Sequence, residues 1–304
     1  MSAAPTRTSL GASASEENVT RVTAGRATSL RAYLAEVWHH KGLVRVLAGR
    51  QLKAQHELNL VGFFWWLLEP LSFAAVYFVI VDVIFNRGGP GYPLFVLISL
   101  LPYKWMVASV TGAMGTIRSN GNLIANLYFP RALLPVVELS VGMAHFMIGL
   151  LVVPLFMLAF GVVPTWNLLW LPVVILVQYF FMLGLAYPAA AIGLNYRNLP
   201  KLTGNLLRLW FYLSPGIWAL TEPRIADKPT LLTLLKINPL TGLFESYRGA
   251  IGVLAQDCAD CASYQVTHAP GWELLSTVGF GAVLLLVGGW YYRRREQTFG
   301  KVLL

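Results

Sequence analysis

Long apolar stretches alternate with short polar stretches along most of the chain. Their approximate limits are 61–85, 93–115, 132–161, 167–193, 202–221 and 272–292. Several of these windows exceed the ~20 apolar residues that a helix needs to cross a bilayer. The pattern therefore predicts an all-α polytopic membrane protein with six transmembrane helices.

The segment before the first window divides into two parts. Residues 1–28 are rich in Ser, Thr, Ala and Gly without periodicity, which predicts a disordered cytoplasmic tail. Over 29–58, apolar residues recur at helical spacing opposite a basic face, and Ser29 is a candidate N-cap. This pattern favours an amphipathic helix in the membrane interface, and the alternative is a solvent-exposed helix packed on a partner. We then predict a six-span domain over 59–293 and a cytoplasmic tail over 294–304.

Composition and charge support the membrane class. The 304 residues are 56% hydrophobic and 12% charged, whereas soluble domains carry about 25% charged residues. The net charge of +9 would also fit nucleic-acid binding, but the basic residues cluster beside the windows. Thirteen lie near one side of the membrane: Lys41, Arg45, Arg50, Lys53, Arg118, Arg131, Arg197, Lys201, Arg208, Arg293, Arg294, Arg295 and Lys301. Five lie near the other: Arg87, Arg224, Lys228, Lys236 and Arg248. This excess predicts that both termini are cytoplasmic and that the basic residues contact anionic lipid rather than nucleic acid.

A polar stretch from Ser119 to Pro135 separates the second and third windows. It contains three asparagines around a short apolar core: Asn120, Asn122, Leu123, Ile124, Asn126 and Leu127. Pro130 follows, and the residue before a proline is pushed out of the α region. The pattern predicts a short amphipathic surface helix, suited to passing force from a soluble partner into the membrane. An ordinary polar loop is the alternative.

The longest connection, roughly 222–271, is predicted to lie outside the membrane on the far side from the termini. Leu231–Ile237 and Leu240–Leu254 have a helical pattern and are separated by Asn238-Pro239. We interpret them as short re-entrant helices that dip into the outer leaflet. A loop lying on the surface is the alternative.

Candidate chemistry is sparse. Cys258 and Cys261 form a CxxC pair in the predicted outer connection, where a small disulfide is favoured over free thiols or a metal site. The chain has no P-loop, HExxH or GxSxG motif. We therefore predict no catalytic residue, no metal and no cofactor in this chain.

Three charged residues lie inside the predicted spans. Glu69 is in the first window, Lys104 in the second and Glu138 in the third. An unpaired charge there costs at least ~2.5–3.5 kcal/mol, so we predict a Glu69–Lys104 or a Glu138–Lys104 pair. The alternative is that these residues line a hydrated path.

Aromatic residues cluster in two of the windows. Phe63-Phe64-Trp65-Trp66 and Trp210-Phe211-Tyr212 present rings on all faces of their helices, so some must face the protein interior. Sugars dock on aromatic faces, which makes Phe64, Trp65, Trp66, Trp210, Phe211 and Tyr212 candidates to line a glycan channel together with Lys104. Ordinary packing explains the same residues equally well.

These features together resemble a family. The pattern N-x-x-L-I-x-N-x-x-F-P-R from Asn120 to Arg131 is similar to the permease subunits of type-2 ATP-binding-cassette exporters, and most of all to the polysaccharide exporters of O-antigen and teichoic acid. Three other stretches also resemble that family: Tyr196-Arg197-Asn198-Leu199, Leu213-Ser214-Pro215, and Asn238-Pro239-Leu240 with Tyr247-Arg248. Asn198 departs from the usual Asp of the family and loses its charge.

The resemblance implies a homodimeric channel in a bacterial inner membrane, with two separate ATPase subunits that bind ATP and Mg on its cytoplasmic face. Its cargo would be a polyprenyl-diphosphate-linked glycan of O-antigen, teichoic acid or galactan type. The ATPase-coupling residues would be Asn120, Asn122, Leu123, Ile124, Asn126, Phe129, Pro130, Arg131, Tyr196, Arg197 and Asn198. Two alternatives remain: a type-2 exporter of drugs or small lipids, and a membrane enzyme or scaffold of lipid-linked sugar assembly.

Overall fold

The computed structural model describes residues 37–56, 78–84, 91–126, 129–220, 227–252 and 270–303, together with positions 35, 68, 71–73, 75 and 76. Within these ranges the chain is helical and contains no strand. The helices are α1 (Lys41–His56), α2 (Tyr92–Ser119), α3 (Gly121–Asn126), α4 (Leu133–Leu150), α5 (Val153–Ala159), α6 (Leu171–Gly193), α7 (Leu199–Leu213), α8 (Pro229–Ile237), α9 (Pro239–Ile251) and α10 (Trp272–Leu303). A π-helical turn covers Val79–Ile84, and a 3-10 turn covers Trp166–Trp170.

Four helical segments of the described chain are long and apolar enough to cross a membrane. They are Tyr92–Ser119, Leu133–Ala159, Trp166–Gly193 and Trp272–Glu296. Each matches a predicted window to within a few residues, which confirms the all-α membrane class and these four helices.

The first and fifth windows differ from the other four. Most of 61–85 lies outside the described residues, as does the predicted N-cap Ser29. The fifth window forms α7, which ends at Leu213 because Pro215 forces Ser214 into an extended conformation with ψ of 157°. The prediction of a helix through residue 221 is therefore wrong.

α2 forms the centre of the molecule. It is buried along most of its length and packs against α4, α6, α7 and α9. Pro102 lies in its interior, and the Gln178 side chain of α6 donates a hydrogen bond of 2.8 Å to the Pro102 carbonyl. Gln178 in turn accepts a hydrogen bond of 2.5 Å from the Tyr247 hydroxyl of α9. This buried pair of bonds ties three helices together at one level.

α6 and α10 approach each other closely at glycines. A Cβ on Gly288 would lie 2.5 Å from the Gly184 carbonyl oxygen, and a Cβ on Gly184 would lie 2.7 Å from the Leu285 backbone nitrogen. Small residues at such contacts let two membrane helices pack backbone to backbone. The contact holds α10 against the core along the length of α6.

α1 packs on α4, which lies in the third predicted window. The Gln51 side chain donates a hydrogen bond of 3.1 Å to the Glu138 carboxylate. That carboxylate also lies against Gly112, where a Cβ would be 2.9 Å from it. Gly112 follows Lys104 by about 12 Å along α2, so the predicted Glu138–Lys104 pair is wrong. Glu69 lies outside the described residues, and the Glu69–Lys104 pair stays a prediction.

Candidate functional site

A groove of about 620 Å³ runs between α2 and α7. From α2 it is lined at helical spacing by Leu100, Tyr103, Lys104, Val107 and Thr111. From α7 it is lined by Pro200, Lys201, Gly204, Asn205, Arg208, Phe211 and Tyr212, and Phe73 closes one side. One face of α2 therefore forms one wall of the groove, and one face of α7 forms the other.

The groove is basic. Lys104, Lys201 and Arg208 line it, and its lining residues within the described part of the chain include no acidic one. The Lys104 ammonium lies 4.7 Å from the centre of the Phe73 ring, and a ring face stabilises a cation at this distance. The three cations make the groove a site of positive potential that favours an anionic ligand.

Aromatic rings form the inner wall beside these cations. The Tyr103 and Phe211 rings stack with centres 4.3 Å apart, and Tyr212 meets Phe211 edge to face at 5.8 Å. Arg208 and Tyr103 both line the groove. Phe211 is buried whereas Tyr212 is 42% exposed, so Tyr212 presents an accessible ring next to the basic side chains.

The predicted channel residues divide into three groups. Lys104, Phe211 and Tyr212 do line this groove. Trp210 faces elsewhere, because its indole nitrogen donates a hydrogen bond of 3.0 Å to Asn238. Phe64, Trp65 and Trp66 lie outside the described residues and stay predictions.

Two of the family-like motifs meet at the end of α7. The Asn238 side chain donates a hydrogen bond of 2.8 Å to the Ser214 hydroxyl and accepts one of 3.2 Å from the Leu240 backbone nitrogen. The second bond caps α9 at its N-terminus. Together with the bond from Trp210, Asn238 joins α7 to α9. Sequence reasoning identified both motifs but missed that one asparagine connects them.

Arg248 lies on α9 and also contacts the segment that follows α7. Its guanidinium is completely buried, donates 2.8 Å to Glu245 and 2.9 Å to the Gly216 carbonyl, and lies 3.4 Å from the centre of the Phe95 ring. Burial lowers the pKa of Arg248, and the Glu245 carboxylate opposes that shift. The charge thus belongs to the protein interior, which corrects its predicted contact with lipid; nothing in the sequence marked Glu245 as its partner.

The predicted surface helix exists as α3. It follows α2 directly, and the Asn120 side chain donates a hydrogen bond of 2.8 Å to the Thr116 carbonyl at the end of α2. Asn122 and Asn126 are exposed, Leu123 is half-buried and Ile124 is buried. Residues 121–126 thus form a helix with a buried and an exposed face rather than an irregular loop, and its place on the membrane surface stays a prediction.

The Phe-Pro-Arg segment after α3 binds the chain's own last helix. Phe129 and Pro130 are buried. The Arg131 backbone nitrogen donates 2.9 Å to the Glu296 carboxylate, and the Arg131 side chain donates 2.8 Å to the Glu296 carbonyl. The Tyr292 hydroxyl donates 2.9 Å to the Arg131 carbonyl. Phe129 and Pro130 therefore pack inside the molecule, and their role in coupling to an ATPase stays a prediction.

A second turn lies beside α3. The Arg118 side chain at the end of α2 donates 2.7 Å to the Leu194 carbonyl, just before this turn. Tyr196, Arg197 and Asn198 are all exposed, Tyr196 at 62%. Together with Asn122 and Asn126 they are the exposed members of the predicted ATPase-coupling set, and we call these five residues the coupling surface.

The described residues hold no group of three or more His, Cys, Asp or Glu side chains placed to bind a metal ion. Cys258 and Cys261 lie outside the described residues, so the predicted disulfide stays a prediction.

Comparison with known proteins gives relatives that match nearly the whole chain, although no family model matches. An O-antigen export system permease protein RfbA from Myxococcus xanthus is 32% identical over 266 residues, which cover 88% of this chain and 97% of the relative. Two proteins of the same name from Klebsiella pneumoniae are 23% identical over 263 residues and 26% identical over 264 residues, each covering 86% of this chain and 95% of the relative. Given the identity to the first relative over nearly its full length, the chain belongs to the family of O-antigen export system permeases of ATP-binding-cassette transporters.

Proposed function

We propose that this chain is the membrane permease of an ATP-driven exporter that moves a polyprenyl-diphosphate-linked polysaccharide across a bacterial inner membrane. The basic, aromatic groove between α2 and α7 carries this proposal. The relatives are O-antigen export system permeases, which supports a polysaccharide as cargo. An O-antigen, a teichoic acid or a galactan would each fit the same groove.

The groove matches the chemistry of a glycosyl diphosphate. Lys104, Lys201 and Arg208 supply charge-assisted hydrogen-bond donors for the phosphate oxygens. The exposed Tyr212 ring offers a flat apolar face for the C–H surface of the first sugar. Among the lining residues that the structure describes there is no carboxylate to repel a diphosphate.

A second copy of the chain would close the groove into a channel. On the solvent- or lipid-facing side of α7, apolar side chains that are more than half exposed recur at helical spacing: Leu202, Leu206, Leu209 and Leu213. Such a stripe suits packing against another copy in the membrane. A dimer would bring two basic grooves to one interface.

The coupling surface would receive a separate ATPase subunit. Asn122, Asn126, Tyr196, Arg197 and Asn198 are exposed together, whereas the chain itself has no P-loop. ATP and Mg would bind to that partner. Both termini would then be cytoplasmic, as the distribution of Lys and Arg predicts.

The first test is purification of the tagged chain from its host in mild detergent, followed by mass spectrometry and an ATPase assay. We expect an ATP-binding-cassette ATPase in about equal amount. Recovery of the chain alone, or with glycosyltransferases and no ATPase, would overturn the exporter and favour a scaffold of lipid-linked sugar assembly.

The second test addresses the groove in the reconstituted complex. We expect Lys104→Met and Lys201→Gln each to raise the concentration of lipid-linked glycan that half-stimulates ATP hydrolysis about tenfold, because each removes a charged contact to phosphate. Arg50→Gln, an exposed change on α1 outside the groove, is the matched control and should leave that concentration unchanged. Stimulation by apolar drugs but not by the glycan would favour the drug exporter instead.

A further inference from the structure

A second groove, of about 830 Å³, lies between α8 and the first three turns of α10. Its principal lining residues are Lys236, Trp272, Leu275, Gly279, Phe280 and Val283. It is separate from the α2–α7 groove and shares no lining residue with it. The volume is within the range of ~300–1,000 Å³ that is typical of small-ligand sites.

The groove has the depth of one bilayer leaflet. Trp272 marks one end, and tryptophan is typical of the membrane–water interface. Val283 marks the other end, about 16 Å further along α10 at 1.5 Å per residue. Half of a hydrocarbon core of ~30 Å is about 15 Å. The groove therefore extends from the headgroup level to near the middle of the membrane.

The two ends differ in chemistry. At the interfacial end, the Lys236 ammonium lies 5.1 Å from the centre of the Trp272 ring. Of the lining residues in the described ranges, none is acidic. Further along, the walls are apolar and open, with Leu275 at 67% and Val283 at 59% exposure. A cation at headgroup level above an apolar trough is complementary to a lipid with a negative headgroup.

We propose that this groove binds one anionic glycerophospholipid, with its phosphate at Lys236 and one acyl chain along α10 as far as Val283. The depth of a single leaflet matches an acyl chain and not a polyprenyl chain, which is much longer. If two copies of the chain packed against each other through this groove, its described lining residues would offer Lys236 no acidic partner. The site does not depend on the cargo proposed above.

The test uses the purified full-length chain in nanodiscs and a phosphatidylglycerol that carries a photoreactive diazirine in its acyl chain. After irradiation, mass spectrometry maps the adducts. We expect them on 229–237 and 272–283, and we expect excess phosphatidylglycerol, but not phosphatidylcholine, to compete.

Two pairs of variants locate the site. Gly279→Leu should reduce the adducts more than fivefold, because a Cβ on Gly279 enters open space in the groove; Gly289→Leu adds the same side chain to the same helix in equally open space outside it. Lys236→Gln should raise the phosphatidylglycerol concentration for half-competition about fivefold. Lys228→Gln, an exposed lysine just before α8, is its control and should have no effect.

Several outcomes would overturn the proposal. Equal competition by phosphatidylcholine would show ordinary annular lipid, and stronger competition by a polyprenyl phosphate would show a site for the carrier. Cross-links between two copies of the chain at 272–283 would show a dimer interface. Full labelling of Gly279→Leu with unchanged melting temperature would place the lipid elsewhere.

Discussion

At the scale of single residues, the buried Arg248 illustrates how the fold tolerates a charge in its interior. Three different groups surround its guanidinium: the Glu245 carboxylate, the Gly216 carbonyl and the Phe95 ring. A buried charge is tolerated only where such partners replace water. Removal of one partner leaves the cation uncompensated, which costs more than the pair contributes.

Glu245→Ala tests this arrangement. We expect it to destabilise the protein by about 3 kcal/mol, because it leaves the buried Arg248 without its carboxylate. The melting temperature in detergent should fall by roughly 6–12 °C. Glu245→Gln keeps a hydrogen-bond acceptor and should lose clearly less. A melting temperature of Glu245→Ala equal to that of the unchanged protein would show that the pair is unimportant.

At the scale of elements, the contact between α6 and α10 depends on the absence of side chains. Gly184 and Gly288 face each other at a distance that no Cβ can enter without moving the backbone. The next residue, Gly289, has open space around it. Two adjacent glycines of one helix are therefore predicted to respond in opposite ways to the same change.

Gly288→Ala should destabilise the protein by about 1–3 kcal/mol, because the added methyl group would lie 2.5 Å from the Gly184 carbonyl oxygen and force α6 and α10 apart. Gly289→Ala should be neutral or stabilising, since alanine is the better helix former. Thermal unfolding of the two purified variants measures the difference. A similar loss in both would mean that the helices are not packed at Gly288.

At the scale of the whole molecule, the segment after α3 is fastened to the end of α10 by crossed hydrogen bonds. The Arg131 backbone donates to the Glu296 side chain, and the Arg131 side chain donates to the Glu296 backbone. A change in either side chain therefore breaks only one of these two hydrogen bonds. Movement of the coupling surface would reach α10 through this connection.

Glu296→Ala should weaken transport per ATP hydrolysed while ATP hydrolysis itself continues, because it frees the Arg131 backbone nitrogen from α10. Glu296→Gln retains a carbonyl acceptor and should restore most of the ratio. Transport and hydrolysis are measured together in proteoliposomes of the complex. Equal ratios for Glu296→Ala and the unchanged protein would show that this connection does not transmit movement.

Local pattern predicted much of this architecture. Apolar windows located four spanning helices to within a few residues, and the asparagine-flanked core of 120–126 identified α3, because both depend on neighbours along the chain. Contacts between distant residues were not predictable in the same way. Arg131 and Glu296 lie far apart in sequence. Glu138 accepts a hydrogen bond from Gln51 instead of pairing with Lys104, because helix packing, and not depth in the membrane, decides which polar groups meet.

α10 is an uninterrupted helix of 32 residues, about 48 Å long. Its beginning forms a wall of the lipid groove, and its final turns hold Arg131. A rigid rod of this length behaves as a lever, so a tilt set at one end must appear at the other. Membrane thickness and lipid composition would therefore bias the resting position of the coupling surface, and the reverse bias must be equally strong.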